Sequence, residues 1–542
     1  MSFKYKMCGI FYLKLYDCSK EQQIRILANF EAIKHRGPDV STFIQNANEV
    51  IGFHRLQING DNGLSNQPMT LDGKTYMICN GEIYNHKELE KRYNITCTTG
   101  SDCEVILHMF ASIGFYNTIR ELDGEFAVVI ITPTSVYAAR DPYGVRALYS
   151  ARNDLQEFGF ASECKALLGL FSSNRIEQVK PGTIQIHVKE SNIFTTKEYY
   201  DFKHQVDLAL PVKEVIVDKL HQLLVNAVKK RLMCSRHHTV QKDAHYKWKG
   251  DEVPSIGAYL SGGFDSSAIA AILQKSYPGQ LETFSIGFEN APDLLYARKV
   301  ANFIGSKHHE YIITEEQALA AIPHTIRAIE SYDTTSVRAS TMMYLLSEYI
   351  SKNSKAVVMF SGEGSDEASG SYRYFFNAPN PDEFHTETLR LLKDLCYFDN
   401  LRADKSSAAW GLELRVPFLD LDFLKYYMTI PSYLKTQNGM EKYLLREALK
   451  GYLPDDVLYR PKEAMSDGVS LHNRSWSNII QEEAEKITHI PVGLPAEKKY
   501  YKDVFLESYP GCEHQIPYYW TPKWCGDIAD PSARILPFYN CS

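Results

Sequence analysis

Two apolar pentapeptides, Ile256-Gly-Ala-Tyr-Leu260 and Ala356-Val-Val-Met-Phe360, each run straight into a loop of glycines, serines and acids. The first loop is Ser261-Gly-Gly-Phe-Asp-Ser-Ser267 and the second is Ser361-Gly-Glu-Gly-Ser-Asp-Glu367. A short apolar run that breaks at glycine before a helical pattern reads as strand, turn and helix. Further strands are predicted at 283–288 and 310–313, and helices at 266–274, 293–304, 316–329 and 339–350. Alternating strand and helix predicts a parallel sheet, with ligands at the carboxyl ends of its strands. Both loops should therefore open on one edge of the sheet.

The loops carry anion chemistry. Paired glycines such as Gly262 and Gly263 let successive N–H groups converge, and a following helix start adds positive dipole. Ser261, Ser266 and Ser267 add hydroxyl donors, while Asp265 can hold a magnesium ion that offsets polyphosphate charge. The Walker pattern G-x-x-x-x-G-K-[ST] is absent. The second loop brings Glu363, Asp366 and Glu367, which suits a bridging magnesium ion and a carboxylate base. Either loop alone is more often a capped glycine turn or a solvated acidic turn. Two at equivalent strand ends outweigh that reading.

The first ~200 residues differ. A hairpin is predicted from the runs 126–131 and 135–139 about a Thr-Pro-Thr turn, with short strands at 158–161 and 183–188. Helical patches fall at 22–33 and 103–113, giving an α+β layered domain. The tail beyond about Lys405 reads mainly helical. Lys+Arg total 59 against 66 Asp+Glu, so the net charge is −7. That balance excludes a general nucleic-acid binder, and no apolar run approaches a membrane span. Two lysines before the run 9–13 give a faint leader pattern, but Lys14 interrupts it and no cleavage site follows. Eleven cysteines without a C-x-x-C pair point to neither a disulfide scaffold nor a zinc site, and to a reducing, cytoplasmic setting.

With these loops on the page, the chain resembles the glutamine-hydrolysing asparagine synthetases. The S-G-G-x-D-S loop is similar to that of ATP-pyrophosphatases, and S-G-E-G-S-D-E is narrower in distribution. Matching runs include Pro292-Asp-Leu-Leu, Tyr332-Asp-Thr-Thr-Ser-Val-Arg-Ala-Ser340 and Gly411-Leu-Glu-Leu-Arg-Val-Pro-Phe-Leu-Asp420. Lys462-Glu, Thr521-Pro-Lys-Trp and Asp530-Pro-Ser-Ala-Arg534 extend the resemblance to nearly the whole chain. It implies two parts: a class II glutamine amidotransferase with an Ntn-hydrolase-like sandwich at 8–205, and a synthetase of the ATP-pyrophosphatase type at 206–542. The implied reaction adenylates aspartate with ATP and lets ammonia from glutamine attack β-aspartyl-AMP. Ser261 to Ser267 would hold the phosphates, and Asp265 with Asp366 would carry Mg2+. Leu260, Ile286, Ser361 and Gly362 would line the nucleotide site. Glu363 would be the base for ammonia, and Arg338 and Lys462 would neutralise charge on the acyl-phosphate and pyrophosphate.

The amino-terminal part resembles the amidotransferases through Met7-Cys8-Gly-Ile-Phe, His35-Arg-Gly-Pro-Asp39, His54-Arg-Leu-Gln-Ile-Asn59, Asn80-Gly-Glu-Ile-Tyr-Asn85, Gly100-Ser-Asp-Cys-Glu104 and Arg140-Asp-Pro-Tyr-Gly-Val-Arg146. By that resemblance Cys8 is the nucleophile, and Asn80 with the Gly81 amide forms the oxyanion hole. Arg55 grips the glutamine carboxylate, Leu56, Gln57, Ile58 and Asn59 shape the pocket, and Glu82 and Asp102 meet the ammonium. The nucleophile of these enzymes is residue one, whose α-amine shuttles the proton, whereas six residues precede Met7 here. Three readings stay open: translation from Met7, removal of a leader, or an enzyme that uses free ammonia.

Other departures are Phe264 in place of leucine, Ala368-Ser-Gly-Ser-Tyr372, and a polar insertion at 234–251 with His237, His238 and His245. The insertion lacks ligand spacing and reads as a solvated loop. Expected partners are aspartate, glutamine and ATP, with no nucleic acid or membrane, and a homodimer is left open. The rivals are an ammonia-dependent synthetase, a β-lactam synthetase-like enzyme acting on another carboxylate, and a degenerate regulatory protein.

Overall fold

The computed structural model describes residues 8–16, 19–46, 48–60, 63–207, 209–239, 252–526, 530–532 and 534. The strand Gly9–Lys14 sets the plan of the first half. Ile10 and Tyr12 point into one apolar cluster, Phe11 and Leu13 into another, so both faces are covered. This is why the segment reads as an unbroken apolar run rather than an alternating strand. It lies in a six-stranded sheet of spatial order Ile176–Gln178, Tyr149–Arg152, Phe158–Ala161, Gly9–Lys14, Glu49–Arg55, Val40–Gln45. Facing it is a second sheet ordered Ile193–Glu198, Thr183–Val188, Ser135–Arg140, Gly124–Ile131, Tyr76–Ile83, Met69–Thr70.

All the pairings in these two sheets are antiparallel, and the expected hairpin is the pair Gly124–Ile131 with Ser135–Arg140. Along Gly124–Ile131, Phe126, Val128 and Ile130 turn outward to pack with Val105, Met109 and Ile119, while Ala127 and Val129 turn inward to the first sheet. Helix Lys20–Glu31 covers the other outer face through Ile26 and Phe30. The result is helix, sheet, sheet, helix: the α+β sandwich expected, in four layers.

The second half is built on a parallel sheet ordered Lys307–Ile312, Glu282–Gly287, Ile256–Tyr259, Val358–Phe360, Glu413–Arg415. The two strands that precede the glycine loops are neighbours at its centre, so the loops do open side by side. The edge strand Glu413–Arg415 lies within the tail expected to be mainly helical; three residues give no periodicity to read. Helix Thr334–Asn353 begins five residues before the expected 339, because the Asp333 carboxylate accepts the Ser336 N–H at 2.9 Å and caps it. Arg338 therefore sits inside this helix. His237–Thr239 pairs antiparallel with Glu252–Pro254. Residues 240–251 of the insertion, with His245, lie outside the described residues.

One continuous apolar cluster joins the halves, from Phe11 and Tyr149 through Ala258 and Val358 to Phe505 and Ile516. Buried ion pairs and a hydrogen bond cross the same seam. Arg36 bonds Asp404 at 2.9 Å, Arg231 bonds Glu125 at 2.8 Å, and Lys405 donates to the Tyr149 hydroxyl at 2.7 Å. No described helix is long and apolar enough to cross a membrane.

Candidate active sites

The two glycine loops close on each other. A Cβ at Gly362 would lie 2.8 Å from the Asp265 carbonyl carbon and the Ser266 nitrogen, so only glycine permits this contact. Gly262, at φ +75°, would drive a Cβ to 2.4 Å from the Ala297 nitrogen of the next helix. Within the first loop the Ser261 and Ser266 hydroxyls meet at 2.9 Å, and the Gly263 N–H donates to Ser261 Oγ at 3.3 Å. Helix Phe264–Ser276 then starts with Asp265 in its first turn, the end favoured by anions.

A single cavity gathers Leu260, Ser261, Gly263, Asp265, Ser266, Ile286, Ser361, Gly362, Glu363, Asp366 and Lys462. Gly262 and Ser267 support the loop from outside this lining. Arg338 faces a second cavity, which shares Thr335, Tyr372, Asp399, Arg402, Lys462, Ala464 and Ser466 with the first. Its guanidinium is already held by Glu497 at 2.6 Å and Asp530 at 2.8 Å.

Three cationic partners were not found from the sequence or were found only by resemblance. Lys442 bridges Asp265 at 2.5 Å and Asp366 at 2.6 Å, and Lys462 takes the other Asp366 oxygen at 2.5 Å. Arg402 donates to Glu363 at 2.9 Å and to Asp399 at 2.8 Å. Burial pushes the Asp366 carboxyl up, but the two lysines overcome it and hold the group well below the usual range. Burial lowers Lys462 too, and Asp366 with Asp265 more than restores it. Glu363 goes the other way: burial raises it, and Arg402 only partly opposes that shift. The second Asp265 oxygen, Oδ1, is buried with no hydrogen-bond partner among the described residues. A free carboxylate oxygen beside a second carboxylate is the hard donor set that suits a magnesium ion.

The first half builds its own site at the ends of two strands. Strand Tyr76–Ile83 supplies Asn80, Gly81 and Glu82. Gly81 has φ +153°, and a Cβ there would strike the Glu125 carbonyl oxygen at 2.1 Å. Asn80 Nδ2 is buried and has no hydrogen-bond acceptor among the described residues, a donor left for a ligand oxygen. Strand Glu49–Arg55 delivers Arg55, which donates to Asn66 at 2.8 Å and to the Asn59 carbonyl at 3.0 Å. Leu56 N–H donates to Cys8 Sγ at 3.3 Å, and Gln57 N–H to Asp39 at 3.0 Å. The Ile58 carbonyl accepts from Ser235 N–H at 3.0 Å, and Asn59 Nδ2 donates to Glu82. Asp102 accepts the Ile83 N–H at 2.6 Å. The sequence-selected residues thus meet in one place.

Burial pushes the Cys8 thiol up to about 12, against the Leu56 amide bond. Glu82 is also raised, by burial and by Asp102 and Glu413, with Arg415 and Arg146 opposing. A third cluster, Cys97, Glu104 and His108, has ligand-type atoms close together. Glu104 there already accepts from the N–H and hydroxyl groups of Thr98 and Thr99, so its lone pairs are occupied.

A cysteine thiol and an amide donor unpaired among the described residues, on an antiparallel sandwich joined to a glycine-loop cavity on a parallel sheet, have the layout of a glutamine amidotransferase fused to a ligase. Comparison with known families agrees. The glutamine amidotransferase domain family matches residues 7–202, and the asparagine synthase family matches residues 251–382 and 377–527. A probable glutamine-hydrolysing asparagine synthetase of Acanthamoeba polyphaga mimivirus is 38% identical over 569 residues, covering 98% of this chain and 100% of the relative. The glutamine-hydrolysing asparagine synthetases of Gallus gallus and Homo sapiens are each 39% identical, covering 98% of this chain and 99% of theirs. The chain belongs to the glutamine-hydrolysing asparagine synthetase family and is a carbon–nitrogen ligase.

Proposed function

We propose that this chain makes asparagine from aspartate, glutamine and ATP, releasing glutamate, AMP and pyrophosphate. The observation that carries the reading is the fused pair of glycine loops, with Asp265 and Asp366 bridged by Lys442 beside Lys462. That arrangement supplies backbone N–H groups and fixed cations for a polyphosphate. A magnesium ion held by Asp265 and Asp366 would neutralise polyphosphate charge.

Aspartate's side-chain carboxylate oxygen bonds the α-phosphorus of ATP while the bond to pyrophosphate breaks, and Lys462 faces the departing charge. Ammonia then forms the carbon–nitrogen bond as AMP leaves, and Glu363, raised by burial, accepts the surplus proton. In the other site the Cys8 sulfur attacks the glutamine carboxamide carbon. Asn80 Nδ2 and the Gly81 N–H hold the oxyanion, and ammonia leaves a thioester that water hydrolyses to glutamate. Arg55 takes the α-carboxylate, and Glu82 with Asp102 takes the α-ammonium. Ammonia reaches the ligase site by an internal route, since free ammonia would protonate and escape.

A thiol pushed up to about 12 needs an adjacent base. An α-amine on Cys8, with an ordinary pKa near ~8, is suited to the task. The glutaminase reading therefore requires that Cys8 begin the mature chain, and intact-mass measurement tests it: a chain retaining Met1 leaves only the ammonia-dependent reaction. A cytoplasmic setting accords with nine described cysteines, all unpaired. The functional assay follows AMP and asparagine with aspartate, ATP and magnesium, offering glutamine or ammonia. Asparagine from both is expected. None from either donor would reject the reading.

A further inference from the structure

Arg415 touches both sites at once. Its guanidinium, fully buried, donates from Nε to Glu413 at 2.9 Å and from Nη1 to the carbonyls of Arg231 and Met233 at 2.5 and 2.6 Å. The remaining nitrogen, Nη2, makes no hydrogen bond among the described residues and lies 3.4 Å from Glu82 Oε1, in the glutamine site. The backbone of the same residue serves the other half. The Arg415 carbonyl accepts the Ser361 N–H at 3.0 Å, at the first residue of the acidic loop. Through its edge strand it is also paired in register with Phe360. One residue thus spans from a carboxylate in one active site to a backbone amide in the other, with no flexible segment between them.

Resting on the glutaminase reading above, we propose that Arg415 is a positioning residue that couples glutamine-site occupancy to the nucleotide loop. Without ligand, Glu82 is faced by the Asn59 amide and by Arg415 Nη2, with Asp102 and Glu413 as its acidic neighbours. An α-ammonium arriving at Glu82 competes with Nη2 for the same carboxylate. The guanidinium cannot swing away freely, because Nε and Nη1 are fixed by three acceptors. Its response is carried along the short strand to the carbonyl that holds Ser361. Coupling of this kind is reciprocal: nucleotide at the loop changes glutamine-site affinity by the factor with which glutamine-site occupancy changes nucleotide affinity.

The experiment uses the full chain and L-glutamate, the product that keeps the α-ammonium and is not consumed. Its dissociation constant is measured by calorimetry with and without a non-hydrolysable ATP analogue and magnesium. The two values should differ by at least ~5-fold, the lower end of ordinary allosteric coupling. In Arg415→Lys, which keeps the charge but loses the fork that Nη1 and Nε make, the ratio should fall to within ~2-fold of one. A role in stability alone would weaken both affinities and leave the ratio intact, which overturns the proposal. Glutamate binding that ignores the nucleotide in the unaltered chain overturns it too and leaves the glutaminase reading standing. No glutamate binding at all removes that reading and this proposal together. Should Arg415→Lys fail to fold, amide exchange in the unaltered chain decides: glutamate must change protection across 358–364, and an unchanged rate there overturns the coupling.

Discussion

The two sites are built on opposite electrostatic plans. In the ligase site nearly every acid has a named cation: Asp265 and Asp366 share Lys442, Asp366 also has Lys462, and Glu363 has Arg402. The glutamine site is short of compensation. Its thiol is raised to about 12, Glu82 and Asp102 are both raised by burial, and Asn80 Nδ2 has no acceptor among the described residues. The first site leaves Asp265 Oδ1 without a hydrogen-bond partner among the described residues. On the glutaminase reading, the second takes its missing charges from the substrate and its base from an amine.

That contrast predicts how each site breaks. Cys8→Ala should abolish glutamine-dependent asparagine synthesis by at least ~10⁴-fold, as loss of a nucleophile does. Ammonia-dependent synthesis should be unchanged, and a parallel loss with both donors would contradict the separation of the sites. Lys442→Met should do the reverse, cutting synthesis with either donor by ~10²–10³-fold, because it leaves Asp265 buried without its cation and Asp366 with Lys462 alone. Removing one partner of a buried pair costs about 3–5 kcal/mol, so the thermal midpoint should fall as well. Glutamate release from glutamine should survive. Asn80→Ala tests the unpaired donor directly: kcat for glutamate release should drop ~10²-fold, as when an oxyanion-hole donor is removed. An unaltered kcat would assign Asn80 a structural role.

The smallest effect concerns a ligase-side ammonium with no carboxylate partner among the described residues. Lys435 is buried, donates to the Ala368 carbonyl at 3.2 Å, and is lowered by burial to about 7. Its unfolded value is near ~10.4. Between those values the unfolded chain binds more protons, so this group makes stability rise with pH from about 7 upward. Below pH 7 both states are protonated and the burial penalty is constant. Lys435→Met should therefore raise the thermal midpoint at pH 7 and flatten its increase toward pH 10. A midpoint that falls would mean that the ammonium stabilises the loop helix Ser365–Ser369 beneath which it lies.

The parts of this arrangement legible in the sequence are those encoded locally. Each glycine loop follows its strand without interruption, so their meeting at neighbouring strand ends follows from parallel-sheet topology. The residues proposed for the glutamine site stand in the sequence as an ordered set of short motifs. Lys442 was not: it stands at φ +56° ahead of helix Tyr443–Ala448, 76 residues from Asp366, and nothing in Met-Glu-Lys-Tyr points to a loop so distant. Arg402 was hidden for a related reason, and Arg415, though it stands in the quoted run 411–420, gave no sign of its contacts. One lies in a helix whose every residue from Asn400 to Ala408 is buried, and the other in a three-residue edge strand. Gly9–Lys14 was unreadable as a strand because a segment covered on both faces loses its alternation.

The seam between the halves bears on whether they can be exchanged as modules. Arg36 of the first half meets Asp404 of the second, Glu125 meets Arg231, and Tyr149 meets Lys405, all where water is excluded. A chimera that joined either half to an unrelated partner would take both cations, Arg36 and Arg146, from Asp404, and would leave Arg36, Arg231 and Lys405 with only the partners of their own half. Each broken ion pair, Arg36–Asp404 and Glu125–Arg231, carries a penalty of several kcal/mol. The halves are thus bound to inherit together: a change at Asp404 or Lys405 selects for a matching change hundreds of residues away, and the ligase half constrains how the glutaminase half can evolve.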